Sequence, residues 1–200
     1  MARLVVPLVL MALTACGPRQ PEPGSATAPV PCTAPSGVLP ADASATGLAG
    51  TYRLQLVASR GARSGDSTSA ELELVPVDDS LQTRPNTLGV PDTTVRYPLL
   101  GWTTIDPAAV GAIDTGQLES RDPAAPGVLV IERQTQRPEA PRDILLRLGA
   151  AANRGGRVRF DGGYFVLTVL RIEGGRFDGT WASAGGRQGA GGHFCARRTG

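Results

Sequence analysis

With 200 residues, 20 basic and 18 acidic side chains and a formal charge of +2, the chain has room for one domain plus extensions. It lacks the field that recruits nucleic acid, so no nucleic-acid partner is expected. All its basic residues are arginine, among 26 glycines and 17 prolines. That composition reads as codon bias rather than as an arginine-dependent function.

The first residues, MARLVVPLVLMALTAC, carry one charge at Arg3, an apolar run from Leu4 to Ala12, then Leu13, Thr14, Ala15 and Cys16. The run is short of the roughly 20 apolar residues that a spanning helix needs, and has the form of an export signal. Leu13 to Cys16 resembles the lipobox of bacterial lipoproteins. The resemblance implies a signal peptide over 1–15, lipidation of Cys16 and a protein anchored to the cell envelope on its extracytoplasmic side. Acyl chains on one residue make such an anchor stable where a single chain binds only marginally. Gly17 in place of the family's retention aspartate favours the outer membrane where the organism has one.

From 16 to 46 the chain is rich in Pro, Ala, Ser and Gly and poor in large apolar residues. Such a stretch cannot bury enough surface to offset its ordering entropy, and reads as a tether. It contains Cys32. Export places the chain where disulfides persist, and lipidation of Cys16 leaves Cys32 and Cys195 as a pair. Their bond is expected. The competing metal or redox reading lacks a CxxC and a second histidine; a zinc site takes about four ligands. No metal and no cofactor is expected.

From 47 to 200 short alternating runs are separated by glycine, proline or aspartate. In TYRLQLVAS, Tyr52, Leu54 and Leu56 share one face and Arg53 and Gln55 the other; in SAELELVPV, Leu72 and Leu74 oppose Glu71 and Glu73. Both show the period of half-buried strands, and SRGARSGDST joins them as a hairpin loop. TVRYPLLGWTT reads as a strand disturbed at Pro98. Asp106 and Pro107 offer a cap and first turn to AAVGAI, the one expected helix. GVLVIER, RDILLRLG, GRVRFDG, YFVLTVLRIEG, GRFDGTWASA and GGHFCARR complete about nine strand candidates. Their glycine-rich junctions suit tight hairpins.

Strands at hairpin spacing without alternating helices predict an all-β domain. Short links favour an antiparallel up-and-down β-barrel of eight or nine strands over a β-sandwich, which stays the alternative. At this point the chain loosely resembles lipocalin and avidin-like barrels. Gly50, Thr51 and Tyr52 stand where lipocalins place Gly, any residue and Trp, and Gly179, Thr180 and Trp181 repeat the pattern. The resemblance implies that Arg197 or Arg198 packs over the Tyr52 ring.

Catalytic constellations are not evident. Ser64 in GARSGDS is hairpin material without the elbow of a serine hydrolase, the run GGRQGAGG joins two strands and not a strand to a helix, and the acids Asp78, Asp79, Glu119 and Asp122 fall in loops. Among the strand aromatics, Tyr52, Trp102 and Trp181 are the candidate ligand contacts if the barrel is hollow; the alternative is that they fill a plain core. The expected function is therefore a noncatalytic, lipid-anchored envelope protein whose barrel binds a small apolar ligand or a protein partner. The alternatives are a structural or assembly lipoprotein with a filled core, and an extracytoplasmic enzyme centred on His193.

Overall fold

The computed structural model describes residues 31–78, 83–85, 91–134, 143–149, 163–185 and 188–200. The export segment with Cys16, the strand candidate GRVRFDG (156–162) and Asp79 lie outside them. The nine strands are β1 (Gly50–Arg60), β2 (Ser67–Pro76), β3 (Thr83–Pro85), β4 (Pro91–Thr103), β5 (Val128–Arg133), β6 (Asp143–Leu148), β7 (Tyr164–Glu173), β8 (Arg176–Gly185) and β9 (Gln188–Arg198). Each neighbouring pair is antiparallel, in the order β2-β1-β9-β8-β7-β6-β5-β4-β3, and a further pairing of β2 with β4 closes the sheet. The architecture is an eight-stranded up-and-down β-barrel, with β3 as a short arm on β4. It is an all-β fold with short 3-10 turns in place of helices.

Closure follows from the pairing register. β9 lies between β8 and β1, with Phe194 opposite both Gly179 and Leu56. β2 meets the second half of β4 from Leu72↔Thr103 to Pro76↔Leu99. Each of the eight barrel strands thereby has a neighbour on both sides, which is how a closed barrel limits exposed edges. The hairpin between β7 and β8 turns on Gly174 and Gly175, at φ 55° and 75°, the left-handed geometry that two-residue hairpins need.

Period two sorts the side chains. Tyr52, Leu54, Leu56 and Ala58 of β1, Leu72 and Leu74 of β2, and Phe165, Leu167 and Val169 of β7 are buried in one core. Arg53, Glu71 and Thr180 face outward and are exposed, and Glu73 faces outward half-buried. An apolar inside and a charged outside is the reverse of the pattern that a membrane-spanning barrel requires.

Apart from the break in the β3 arm, three register shifts in the barrel wall change this phase. The β4–β5 register breaks between Arg96 and Leu99, at the disturbance expected around Pro98. It puts Val95 and Tyr97 in a small outer cluster with Leu129, Ile131 and Leu145, while Leu99 turns into the main core. The break between Val169 and Arg171 leaves Val169 inside and Arg171 outside. The third, between Ala58 and Arg60, turns Arg60 to the outer wall.

The segment AAVGAI forms only a 3-10 turn, Ala108–Val110, with the Ala108 amide donating to Asp106 Oδ1 at 3.0 Å. The left-handed Gly111 stops it. A second turn, Ala45–Leu48, was not anticipated. Ser44 caps it, and Ala45 and Leu48 are buried beneath the barrel rim. Leu39 is buried as well, and residues Pro31–Gly200 form one compact unit. Described residues ahead of 47 thus pack with the barrel in that unit. A few apolar side chains in a Pro/Ala-rich stretch suffice once a rim is there to receive them.

Candidate functional site

The barrel interior is the first place to look for a site, because small barrels of this type either fill with side chains or hold one ligand. Here the middle and one end are filled with rings. Tyr52, Phe165, Phe177, Trp181 and Phe194 are all 1 % exposed or less. Tyr52 meets Phe177 edge-on at 4.9 Å between centroids, Phe177 meets Phe194 at 5.9 Å, and Phe165 meets Trp181 at 5.8 Å. These separations fall in the favourable range for edge-to-face pairs. Two inward glycines make the room. A Cβ on Gly179 would stand 2.8 Å from the Phe194 ring, and one on Gly192 would stand 2.9 Å from Trp181 Nε1. The Trp181 indole N–H donates to the Val57 carbonyl at 3.1 Å, so its polar atom is satisfied inside.

Both ends are stoppered. At one, Ala45 and Leu48 close the rim, with the Ala45 amide donating to the buried Glu132 carboxylate at 2.9 Å. At the other, the connection after β4 folds Ile105, Val110, Ala112 and Leu118 into the core. It is held by the Ile113 amide donating to Ser183 Oγ at 2.9 Å and Thr103 Oγ1 donating to the Glu71 carbonyl at 2.6 Å.

Arg198 is the arginine that lies over the Tyr52 ring, 5.2 Å from its centroid. Its guanidinium donates to Tyr52 Oη and to the Ala49 carbonyl, each at 2.9 Å, tying the last strand to the segment that enters β1. A side chain at Gly50 would collide with it, since a Cβ there would be 2.7 Å from Nη1. Burial raises the Tyr52 phenol above its ordinary pKa, with Arg198 pulling the other way through its charge and its hydrogen bond. The folded state therefore prefers the neutral phenol. Stability from this source is complete below the unfolded-state value of about 10 and falls as pH rises through that value towards the higher folded one. Urea titrations at increasing alkaline pH should show the loss in the wild-type protein and a smaller one in Tyr52→Phe. Equal losses in both would disprove the assignment.

The candidate residues thus separate. Tyr52 and Trp181 are inside, buried in the main core. Trp102 is on the outer wall opposite Glu73, under the Arg121 guanidinium at 4.1 Å. The structure does not bring Trp102 together with the other two: in β4 the inward positions beside it are Gly101 and Thr103, opposite Leu74 and Leu72.

Cys32 and Cys195 are disulfide-bonded, 163 residues apart in sequence. As the strand period requires, Phe194 and Ala196 enter the core while Cys195 points outward to the chain that crosses the wall. His193 Nε2 lies 3.1 Å from the Cys32 carbonyl, so the imidazole binds the backbone of that crossing segment. Beside it Asp178, fully buried, accepts from Arg171 Nη2 and Arg176 Nε at 2.8 Å each. This charged knot stands opposite Cys195 in the β8–β9 ladder. Ser64 sits exposed in the β1–β2 turn.

No family model, curated protein or solved structure matches the chain. What it does has to be argued from its own geometry. Sequence reasoning missed one feature of that geometry: a groove of about 530 Å³ on the outer wall, lined by β1, β7, β8 and β9. Its signals are the small residues Ala182 and Gly192, which read as strand and turn filler until the register puts β8 beside β9.

Proposed function

We propose that the chain is a noncatalytic, lipid-anchored envelope protein whose closed barrel is a rigid body that works through its outer surface, as an assembly or contact module. The observation that carries this reading is the interior packed with five buried aromatic rings and stoppered at both ends. A hollow barrel would argue for a carrier of apolar ligands; a filled one leaves recognition to the wall and loops. The lipobox-like run ending at Cys16 supports the anchor, and a charged outer face supports a domain held in water beside the membrane. Arg198 over Tyr52 supports an architectural kinship with lipocalin-type barrels, in which fold alone does not specify function.

Expression of the full chain in a bacterial host tests the reading. The wild-type protein should enter the detergent phase on cloud-point partition and take up labelled palmitate, whereas Cys16→Ala should stay in the aqueous phase unlabelled. Chemical cross-linking of intact cells should give a reproducible protein adduct. A wild-type protein that stays in the aqueous phase would refute the anchor. An apolar compound extracted stoichiometrically from the purified chain would refute the filled-barrel reading.

A further inference from the structure

The groove on the outer wall has a floor made by absence. Ala182 of β8 and Gly192 of β9 line it between the neighbouring walls, and Ala182 stands opposite Gly191 in the β8–β9 ladder, so these positions raise no long side chain. One wall is Arg60 and Ser59 at the end of β1; the other is Tyr164 and Thr168 of β7, with Thr180 beside the floor. About 530 Å³ lies within the usual size of a small-molecule site.

Arg60 is placed there by two separate features of the chain. Strict alternation would send its side chain inward after Leu54, Leu56 and Ala58. The bulge between Ala58 and Arg60 sets it opposite Gly191 on the outside, as bulges near sites commonly re-aim a side chain. The guanidinium then lies on the Gly191 backbone: a Cβ at Gly191 would be 2.3 Å from Arg60 Nε. Nearby, Asp66 is taken by Arg63 at 3.3 Å. Among the described residues nothing neutralises Arg60. Across the groove Tyr164 is 37 % exposed, one of two large apolar side chains displayed in this way among the described residues.

We propose that this groove binds an acidic saccharide of one or two rings. Arg60 takes the carboxylate, for which its planar fork is suited. Tyr164 covers one face of a sugar ring, and Ser59, Thr168 and Thr180 exchange hydrogen bonds with its hydroxyls. Three hydroxyls around one cation suit a ligand that presents hydroxyls of its own. A peptide is disfavoured because β1, β9, β8 and β7 are all paired to neighbours on both sides, which leaves no backbone for strand addition. The proposal goes beyond the preceding reading and does not need the lipid anchor, so Cys16→Ala leaves it untouched.

Calorimetric titration of the purified full chain with digalacturonate tests it, with lactose, inorganic phosphate and tetraglutamate as comparisons. Digalacturonate should bind saturably with a Kd of about 1 mM or tighter, and the three comparisons should not saturate. Arg60→Gln should weaken binding about tenfold and Tyr164→Ala severalfold, both without a change in melting temperature because both side chains are at the surface. Gly191→Ala, which must displace the guanidinium, should also weaken it. The proposal is overturned if digalacturonate does not saturate, if a comparison binds equally well, or if Arg60→Gln binds as the wild type does.

Discussion

Trp181→Ala should cost about 3–5 kcal/mol of folding stability, the range for removing a large ring from a packed core. The ring is 1 % exposed, touches Phe165 edge-on and lies over the inward Gly192. Its removal leaves a void that the surrounding strands, hydrogen-bonded on both sides, cannot close. The Val57 carbonyl also loses its indole partner. Total stabilities of about 5–15 kcal/mol make this a large fraction of the whole, and much of the variant should be unfolded near physiological temperature. Trp181→Phe keeps a six-membered ring and loses the N–H with the rest of the indole, so it should cost less, about 1–3 kcal/mol. Urea denaturation followed by far-ultraviolet circular dichroism reads both without needing the indole. A loss under about 1 kcal/mol for Trp181→Ala would mean the ring borders open space. An apolar ligand site inside the barrel would then be reinstated.

Reducing the Cys32–Cys195 bond should lower the thermal midpoint by about 10–20 °C. The bond spans 163 residues, and in the chain-entropy model a loop of that size is worth about 5 kcal/mol, minus strain. For a domain of this length each kcal/mol moves the midpoint by about 2–4 °C. The effect acts mostly on the unfolded chain, so the folded barrel should keep its circular dichroism spectrum after reduction. Cys32→Ala, Cys195→Ala and the double variant should be destabilised by the same amount, since each removes one and the same crosslink. Scanning calorimetry with and without reductant gives the comparison. Peptide mapping of oxidised protein should recover the two cysteines in one linked fragment. Two free thiols, or a midpoint indifferent to reductant, would contradict the bond.

The C-terminal run GGHFCARR shows how far a local pattern reaches. Alternation alone puts Phe194 on one face and His193 and Cys195 on the other, and the structure has that division, with Phe194 in the core and Cys195 bonded to the crossing segment. The hairpins β1–β2 and β7–β8 were legible for the same reason: each strand carries its own period, and the turn between carries glycine or polar residues. About nine strands are expected and nine stand among the described residues, but the two sets do not correspond strand for strand. β3 was hidden in a proline-broken loop, and GRVRFDG lies outside the described residues.

The chain by itself determined that this protein is built of strands, which side chains share a face, and which two cysteines remain to meet once Cys16 is set aside. These follow from spacing along one strand and from turn chemistry, both local. Only the tertiary structure decided which face is inside where bulges shift the phase, as at Pro98 and Ala58, because a one-residue slip exchanges every following side chain between core and wall. It likewise decided that Trp102 stands outside while Tyr52 and Trp181 are sealed within, that Leu39, Ala45 and Leu48 of a Pro/Ala-rich stretch belong to the core, and that Arg60 lies on a glycine bed. Each depends on residues far apart in sequence, brought together only when β2 meets β4 and β9 meets β1.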